Sequence, residues 1–242
     1  MLDSAHFGFE RMNPMEVNIS TKKSFLNAPY SKFIIPSAFI LYGVAARNSG
    51  VLRLLDKNVH GQVDKRLKVR VPVDDYIQYV PAVSLYGLGL SGMKASHNLR
   101  DQTIVMATSY MIMATVVQSS KRIISVRRPD GSNDKSFPSG HTATAFVGAH
   151  LLFKEYKDTS CWIGIFGYFV AASTGGLRVL NKKHWVSDVI AGAGVGILSV
   201  ELAYLMLPAF HDMLGLKDTT SKLAVAPVIA NNNYGIGMSY TF

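Results

Sequence analysis

The chain has 242 residues, of which 48% are hydrophobic and 17% are charged, against about 25% charged in soluble globular domains. This composition excludes an ordinary soluble domain and indicates either a very apolar helical protein or a membrane protein with aqueous loops. The net charge of +9 favours anionic partners. Because no Lys/Arg run or nucleic-acid-binding signature accompanies it, the predicted partner is phosphate in another form, and no nucleic acid.

Six segments contain almost no Asp, Glu, Lys or Arg and predict helices. They run over 33–46, 76–93, 102–120, 136–153, 159–177 and 189–210, the last interrupted only by Glu201. A bilayer is crossed by about 20 apolar residues, with a range of about 17–25. The fold class predicted is therefore all-α, a membrane-embedded bundle of six helices. The alternative is a soluble all-helical domain whose core helices lack charge.

The stretch 47–75, between the first two segments, is polar and rich in Lys and Arg. Its end, KRLKVRVPV, alternates charged and apolar residues, which predicts an extended segment lying on a surface. The whole stretch is either a basic cover over an anionic head group or a solvated loop.

The C-terminal stretch differs in character from the rest of the chain. Two β-like runs flank Asn231–Asn233, which predicts a hairpin, although the last run also resembles the terminal strand of an outer-membrane barrel. Two strands cannot close a barrel, so an accessory hairpin is favoured. The domain prediction is an N-terminal segment over 1–31, a helical domain over 32–210, and a linker with a hairpin-like tail over 211–242.

Two clusters of polar residues lie at ends of the predicted helices. Lys121 and Arg128 are separated by six residues and can place an ammonium and a bidentate guanidinium on one oxyanion. Ser139 reads as the cap or first-turn residue of a helix. The free amides of that turn, including Gly140, then point towards an anion. His141 projects from the same turn.

A third cluster contains Arg178, His184 and Asp188, spaced by five and then three residues. On a helix, His184 and Asp188 share one face. A carboxylate that holds one imidazole nitrogen leaves the other free as a nucleophile or base. Each cluster alone has an ordinary structural explanation: a helix cap, an interface anchor or a hydrogen bond. Their occurrence in this order at helix ends favours a single phosphate site.

The three clusters together, K-x6-RP, PSGH and R-x5-H-x3-D, resemble the type 2 phosphatidic acid phosphatase (PAP2) superfamily, in its bacterial membrane lipid phosphatase branch. The resemblance covers roughly residues 30–210 and implies that His184 attacks phosphorus while Asp188 holds its imidazole. It implies that His141 protonates the leaving oxygen and that neither a metal nor a cofactor is needed. The implied phosphate ligands are Lys121, Arg128, Ser139, the Gly140 amide and Arg178. Leu177 departs from the family pattern, which usually has Ser there.

The resemblance also implies a function and a location. The expected activity is hydrolysis of a lipid phosphate through a phosphohistidine, and the candidate substrates are lipid A phosphate, undecaprenyl pyrophosphate and phosphatidylglycerol phosphate. The expected location is the bacterial inner membrane, with several spans and the site facing the periplasm. The alternatives are a soluble periplasmic acid phosphatase, a vanadium-dependent haloperoxidase and a non-catalytic phospholipid-binding or transport protein. The sequence defines no oligomeric state.

Overall fold

The computed structural model describes residues 30–66 and 72–216 and the backbone of two strands, 222–230 and 233–241. This described part of the chain contains eight helices followed by two strands. The helices are α1 Ser31–Asn48, α2 Leu52–Arg66, α3 Asp74–Ile77, α4 Val80–Leu90, α5 Leu99–Ile123, α6 Gly140–Tyr156, α7 Cys161–Leu180 and α8 Val186–Met213. The strands are β1 Lys222–Ala230 and β2 Asn233–Thr241.

Helix α6 is the central element of the bundle and lies against α4, α5, α7 and α8. Its side chains Leu151, Leu152 and Tyr156 are completely buried, and the Tyr156 hydroxyl donates to the Leu85 carbonyl of α4 at 3.1 Å. Small residues allow this close packing: a Cβ added at Gly196 of α8 would lie 2.5 Å from a carbonyl oxygen of α6. Such close approach at glycine is typical of packed membrane helices.

Each of the six apolar segments is helical over most of its length, but one of them does not form a single helix. The stretch 76–93 is divided between α3 and α4, because Pro81 lies at the start of α4 and cannot continue a preceding helix. Three helices, α5, α7 and α8, are long and apolar enough to cross a membrane. Their outer surfaces carry exposed large hydrophobic side chains, for example Trp162 and Phe169 of α7 at 73% and 70% exposure, as a lipid-facing surface requires.

The stretch 47–75 is mainly helical, and its interpretation as a loop was wrong. Helix α2 covers most of it, while residues 67–71, within the predicted extended segment, lie outside the described residues. The buried side of α2 includes Asp56 and Val63, whereas Leu54 and Leu55 are exposed. Because a carboxylate occupies the inner face and leucines the outer one, no apolar period marks this helix. Asp56 accepts hydrogen bonds from the Ser187 amide at 3.0 Å and hydroxyl at 2.6 Å.

Glu201, the one charge in the last apolar segment, faces protein. Its carboxylate bonds the His150 Nε2 at 2.8 Å and the Lys154 ammonium at 3.0 Å, and Lys32 lies 3.4 Å away. His150 Nδ1 in turn bonds the Tyr168 hydroxyl at 2.5 Å. His150 is therefore a hydrogen-bonded core residue, as its mid-helix position predicts, and the cluster satisfies a charge that would be costly against lipid.

The C-terminal strands pair antiparallel, with Lys222 opposite Thr241 and Ala230 opposite Asn233. Residues 231–232, in the predicted turn, lie outside the described residues, as do residues 1–29 of the predicted N-terminal segment. The domain boundaries at 31 and 210 stay predictions.

The glycine packing yields a stability prediction. Gly196→Ala forces a Cβ to within 2.5 Å of the Ala143 carbonyl oxygen, so we expect a loss of about 1–3 kcal/mol, the usual cost of overpacking. The measurement is thermal or denaturant unfolding in detergent. Gly176→Ala is the matched control, since a Cβ there meets nothing within 4 Å and alanine favours a helix. Equal stability of the two variants would contradict the packing argument.

Candidate active site

The three motif clusters meet at one end of the helical bundle. This end contains the last turn of α5, the first turns of α6 and α8 and the last turn of α7. Since α5 and α7 run in one direction and α6 and α8 in the other, their connecting loops bring residues 121–141 and 178–188 together. The three clusters therefore lie close together in the fold, as a single site requires.

The first cluster consists of the end of α5 and the loop after it, which backbone hydrogen bonds hold in place. Lys121 lies in the last turn of α5. Arg128 lies in the following loop, where its amide donates to the Asn133 carbonyl at 2.9 Å, and the Ser136 amide donates to the Val126 carbonyl at 3.0 Å. The Arg128 Nε is buried without a hydrogen-bond partner. A buried guanidinium nitrogen left unsatisfied is costly, and an anionic ligand would satisfy it.

The second cluster is the start of α6. Ser139 is the N-cap, as predicted, with its hydroxyl accepting from the Thr142 amide at 3.5 Å and paired with the Thr142 hydroxyl at 2.9 Å. Gly140 is the first helical residue, and a Cβ there would lie 3.8 Å from the Lys121 ammonium. The amides of this first turn have no acceptor within the helix, so they and Lys121 face the same space.

The third cluster differs from the predicted helical pair. His184 lies in the connection between α7 and α8, and its amide donates to the Arg178 carbonyl at 3.3 Å. Asp188 lies in the first turn of α8, where its Oδ2 accepts from the Trp185 amide at 3.0 Å. The two residues therefore do not share a helix face, because the helix begins after His184. The carboxylate of Asp188 caps α8 and also lies near the imidazole.

A residue that the sequence reasoning missed connects His184 with Asp188. The Ser136 hydroxyl donates to Asp188 Oδ2 at 2.5 Å and lies 3.4 Å from His184 Nδ1. The distance between His184 Nδ1 and Asp188 Oδ2 is 3.7 Å, suitable for an ion pair but long for a hydrogen bond. Because Ser136 uses its proton on Asp188, its oxygen accepts from Nδ1, which leaves Nε2 of His184 as the nitrogen with a free lone pair.

Burial sets the charge of His184, which is only 1% exposed. Burial lowers the pKa of the imidazole to about 4, while Asp188 acts in the opposite direction and Arg178 and Arg128 add to the lowering. The imidazole is therefore neutral at neutral pH. A neutral imidazole surrounded by cations has the properties of a nucleophile towards a phosphoryl group.

Arg178 is held by an acidic pair that the sequence reasoning did not single out. Its Nη1 donates to Asp74 at 2.6 Å and to Asp75 at 3.3 Å, and Asn181 donates to the other oxygen of Asp74 at 2.9 Å. The Arg178 Nε is buried without a partner, like that of Arg128. The signal in the sequence was the adjacent pair of carboxylates at the end of a basic stretch.

His141, at the start of α6, faces the same acidic pair. Its Nε2 lies 2.8 Å from Asp75 Oδ1. The imidazole therefore has one nitrogen engaged by a carboxylate from α3. The predicted acid and the predicted nucleophile each have a carboxylate neighbour.

A basic cavity of about 380 Å³ opens beside Asp188. Four cationic side chains from α1, α2 and the loop after α5 line it, together with the carboxylates of Asp56 and Asp188. The lining residues include Arg47, Arg53, Lys57, Arg127 and Trp185. Within the described residues, no three His, Cys, Asp or Glu side chains are grouped so that they could ligate a metal ion.

The segment that contains the three clusters matches a known protein family. Residues 107–212 match the model of the PAP2 superfamily. The chain is 41% identical over 135 residues to a lipid A 1-phosphatase of Porphyromonas gingivalis, covering 54% of this chain and 30% of that protein. It is 37% identical over 92 residues to a non-specific acid phosphatase of Salmonella typhi, covering 36% of this chain and 34% of that protein.

The chain thus spans about a third of the length of these two relatives. A crystal structure of a transmembrane PAP2-type phosphatidylglycerolphosphate phosphatase from Bacillus subtilis aligns with 20% identity and a TM-score of 0.45, covering 78% of this chain and 98% of that one. The matched segment 107–212 contains all three clusters, from Lys121 to Asp188. This segment of the chain is therefore similar to the PAP2 superfamily.

Proposed function

We propose that the protein is a metal-independent phosphatase that removes a phosphate from an envelope lipid through a phosphohistidine on His184. The observation that carries the proposal is a buried, neutral imidazole beside two guanidinium groups, Arg128 and Arg178, each with a buried Nε that lacks a partner. A phosphoryl group supplies the oxygens that these nitrogens require. A neutral nucleophile and fixed cations are also what phosphoryl transfer needs.

The first step forms the phosphoenzyme. The Nε2 lone pair of His184 attacks phosphorus, and the bond between phosphorus and the leaving oxygen breaks. His141 gives a proton to that oxygen, so the lipid departs without its phosphate. In this proposal Asp188 and Ser136 hold the other side of the His184 ring, through the contacts at Nδ1.

The second step returns the enzyme to its starting state. Water attacks the phosphohistidine, and His141 takes the proton that the water loses. The bond between phosphorus and nitrogen breaks, its electron pair returns to His184, and inorganic phosphate leaves. The charge of the transferring group is stabilised by Lys121, Arg128, Arg178 and the first-turn amides of α6, including Gly140, with Ser139 holding that turn in place.

The substrate class follows from the basic cavity. Arg47, Arg53, Lys57 and Arg127 supply four positive charges next to Asp188, which favours a head group that carries anionic charge beyond the phosphate being removed. A lipid A phosphate has this property, and a relative of the matched region is named a lipid A 1-phosphatase. Undecaprenyl pyrophosphate and phosphatidylglycerol phosphate are the other candidate substrates. These three lipids form the lipid panel for the assays below.

The proposed location is the bacterial inner membrane, with several spans and the site facing the periplasm. Three helices of sufficient length and apolarity support membrane insertion. The motif clusters lie at one end of these helices, so a lipid head group at one membrane surface can reach them. A six-span arrangement, with α1, the α3–α4 segment and α6 crossing beside these three, belongs to the same proposal.

A soluble acid phosphatase is the second candidate, favoured by the similarity to the Salmonella typhi acid phosphatase. Extraction separates the two: an embedded enzyme stays with the membrane during salt and alkaline washes and is released by detergent. Release by the washes alone would favour the soluble enzyme.

His184→Ala removes the proposed nucleophile, and we expect kcat to fall by at least about a thousandfold. Phosphate release from the lipid panel in detergent measures turnover, and acid quenching with radiolabelled substrate detects the phosphoenzyme in the wild type. Vanadate binding should persist in the variant, because the cations remain.

His97→Ala is the control, since His97 lies at the opposite end of α5 from Lys121 and its partner is Glu155, at 2.9 Å. Its kcat should match the wild type. Substantial turnover by His184→Ala would remove His184 from the mechanism.

The lowered pKa of His184 predicts the acidic side of the pH profile. Because the pKa is about 4, the imidazole is neutral above this value and protonated below it. The kcat/KM, corrected for ionisation of the substrate phosphate, should therefore fall on acidification through about pH 4. An acidic limb with its inflection near 6.5, the ordinary histidine value, would contradict a buried neutral nucleophile.

The basic cavity predicts a change in KM. Arg53→Glu reverses a charge in its wall, so KM for a lipid with a second phosphate should rise by about tenfold, the equivalent of about 1.4 kcal/mol. The KM for a simple aryl phosphate should stay constant. Lys65→Glu is the matched control, on the same helix but not among the lining residues. Equal effects of the two substitutions on the lipid would argue against a head-group site.

A further inference from the structure

Helix α3 delivers one carboxylate to His141 and is itself firmly attached. Asp74 is completely buried and bonds Arg178 at 2.6 Å and Asn181 at 2.9 Å, which ties α3 to the end of α7. The Gln78 side chain donates to the Asp75 carbonyl at 2.7 Å and closes the turn. With the backbone held in this way, the Asp75 carboxylate lies 2.8 Å from His141 Nε2.

Asp74 and Asp75 have different main hydrogen-bond partners. Asp74 has both oxygens engaged, one by Arg178 and one by Asn181. Asp75 approaches Arg178 less closely, at 3.3 Å, and its strongest contact is with the imidazole. The geometry therefore assigns Asp74 to the guanidinium and Asp75 to His141.

We propose that Asp75 is a positioning residue for the acid and base steps, acting through His141, and this inference rests on the proposed function. By accepting the Nε2 proton, Asp75 fixes the tautomer and leaves Nδ1 directed to the reaction. In the first step Nδ1–H gives its proton to the leaving oxygen as the bond from that oxygen to phosphorus breaks. In the second step the bare Nδ1 accepts the proton of the attacking water.

The charges around His141 explain why such a partner is needed. Arg178 of α7 faces the imidazole, and the Lys121 ammonium of α5 lies beside the neighbouring position, Gly140. Burial and Arg178 oppose a positive charge on His141, whereas Asp75 and Asp74 of α3 favour it. His184, ahead of α8, shares Arg178 as a neighbour and is neutral. Without Asp75, the cations that bind the phosphate would favour the neutral form of His141, which cannot act as the acid.

The test is the steady-state kinetics of Asp75→Asn on a lipid phosphate in detergent, with the full chain. We expect kcat to fall by about tenfold to a hundredfold, within the range of general acid catalysis, with a smaller change in KM. The alkaline limb of the pH profile should move to lower pH, because the imidazolium has lost its counter-charge. Asp158→Asn, an exposed carboxylate beyond the other end of α6, is the control and should resemble the wild type.

A double variant separates positioning from general structural damage. His141→Ala with Asp75→Asn should be no slower than His141→Ala alone, because Asp75 acts through His141. Asp75→Glu keeps the charge and should recover part of kcat. If Asp75→Asn does not fold, Asp75→Glu serves alone, with kcat reduced and vanadate binding intact; wild-type kcat or lost vanadate binding in that variant overturns the inference.

Several outcomes would overturn the inference. Unchanged kcat and pH profile in Asp75→Asn would remove Asp75 from the mechanism, and additive losses in the double variant would mean a role independent of His141. An increase in kcat/KM would mean that Asp75 competes with the substrate for His141 and Arg178. A wild-type chain that releases no phosphate from any lipid overturns the proposed function itself, which distinguishes that failure from failure of the Asp75 role alone.

Discussion

The close contact between the beginnings of α6 and α8 is the constraint on which the site depends. The Ser139 amide donates to the Asp188 carbonyl at 3.0 Å, and a Cβ at Gly192 would lie 2.5 Å from the Ser139 carbonyl oxygen. This contact needs a glycine on α8 and places the capped start of one helix against the acidic first turn of the other. It brings the PSGH motif to the histidine and aspartate that lie more than forty residues further along the chain.

The charged side chains at this end of the bundle suit an anionic ligand. Asp74 and Asp75 neutralise part of Arg178, and Asp188 is engaged by Ser136 and Trp185. Among the residues that the structure describes, the buried Nε atoms of Arg128 and Arg178 find no acceptor. Since buried charged groups are normally paired, these two nitrogens support the proposed phosphate site. The opposite end of the bundle differs, because Glu201 there is fully paired.

Sequence reasoning succeeded where residue type and spacing carry local information. The cap at Ser139 and the helix that follows it were predicted and are present. It failed for α2, because Asp56 occupies the buried face and pairs with Ser187, far away in sequence. It also failed for the break at Pro81, since absence of charge alone does not define one continuous helix.

By itself the sequence determined the chemical groups of the site and their order along the chain, because the motifs are short and their spacings follow from helix ends. Only the tertiary structure decided which carboxylate contacts which histidine. Asp75 reaches His141 from 66 residues away, and Ser136 stands between His184 and Asp188. Such pairings depend on how helices pack and where each one begins. A difference of two residues in the start of α8 separates a shared helix face from the capped turn that is observed.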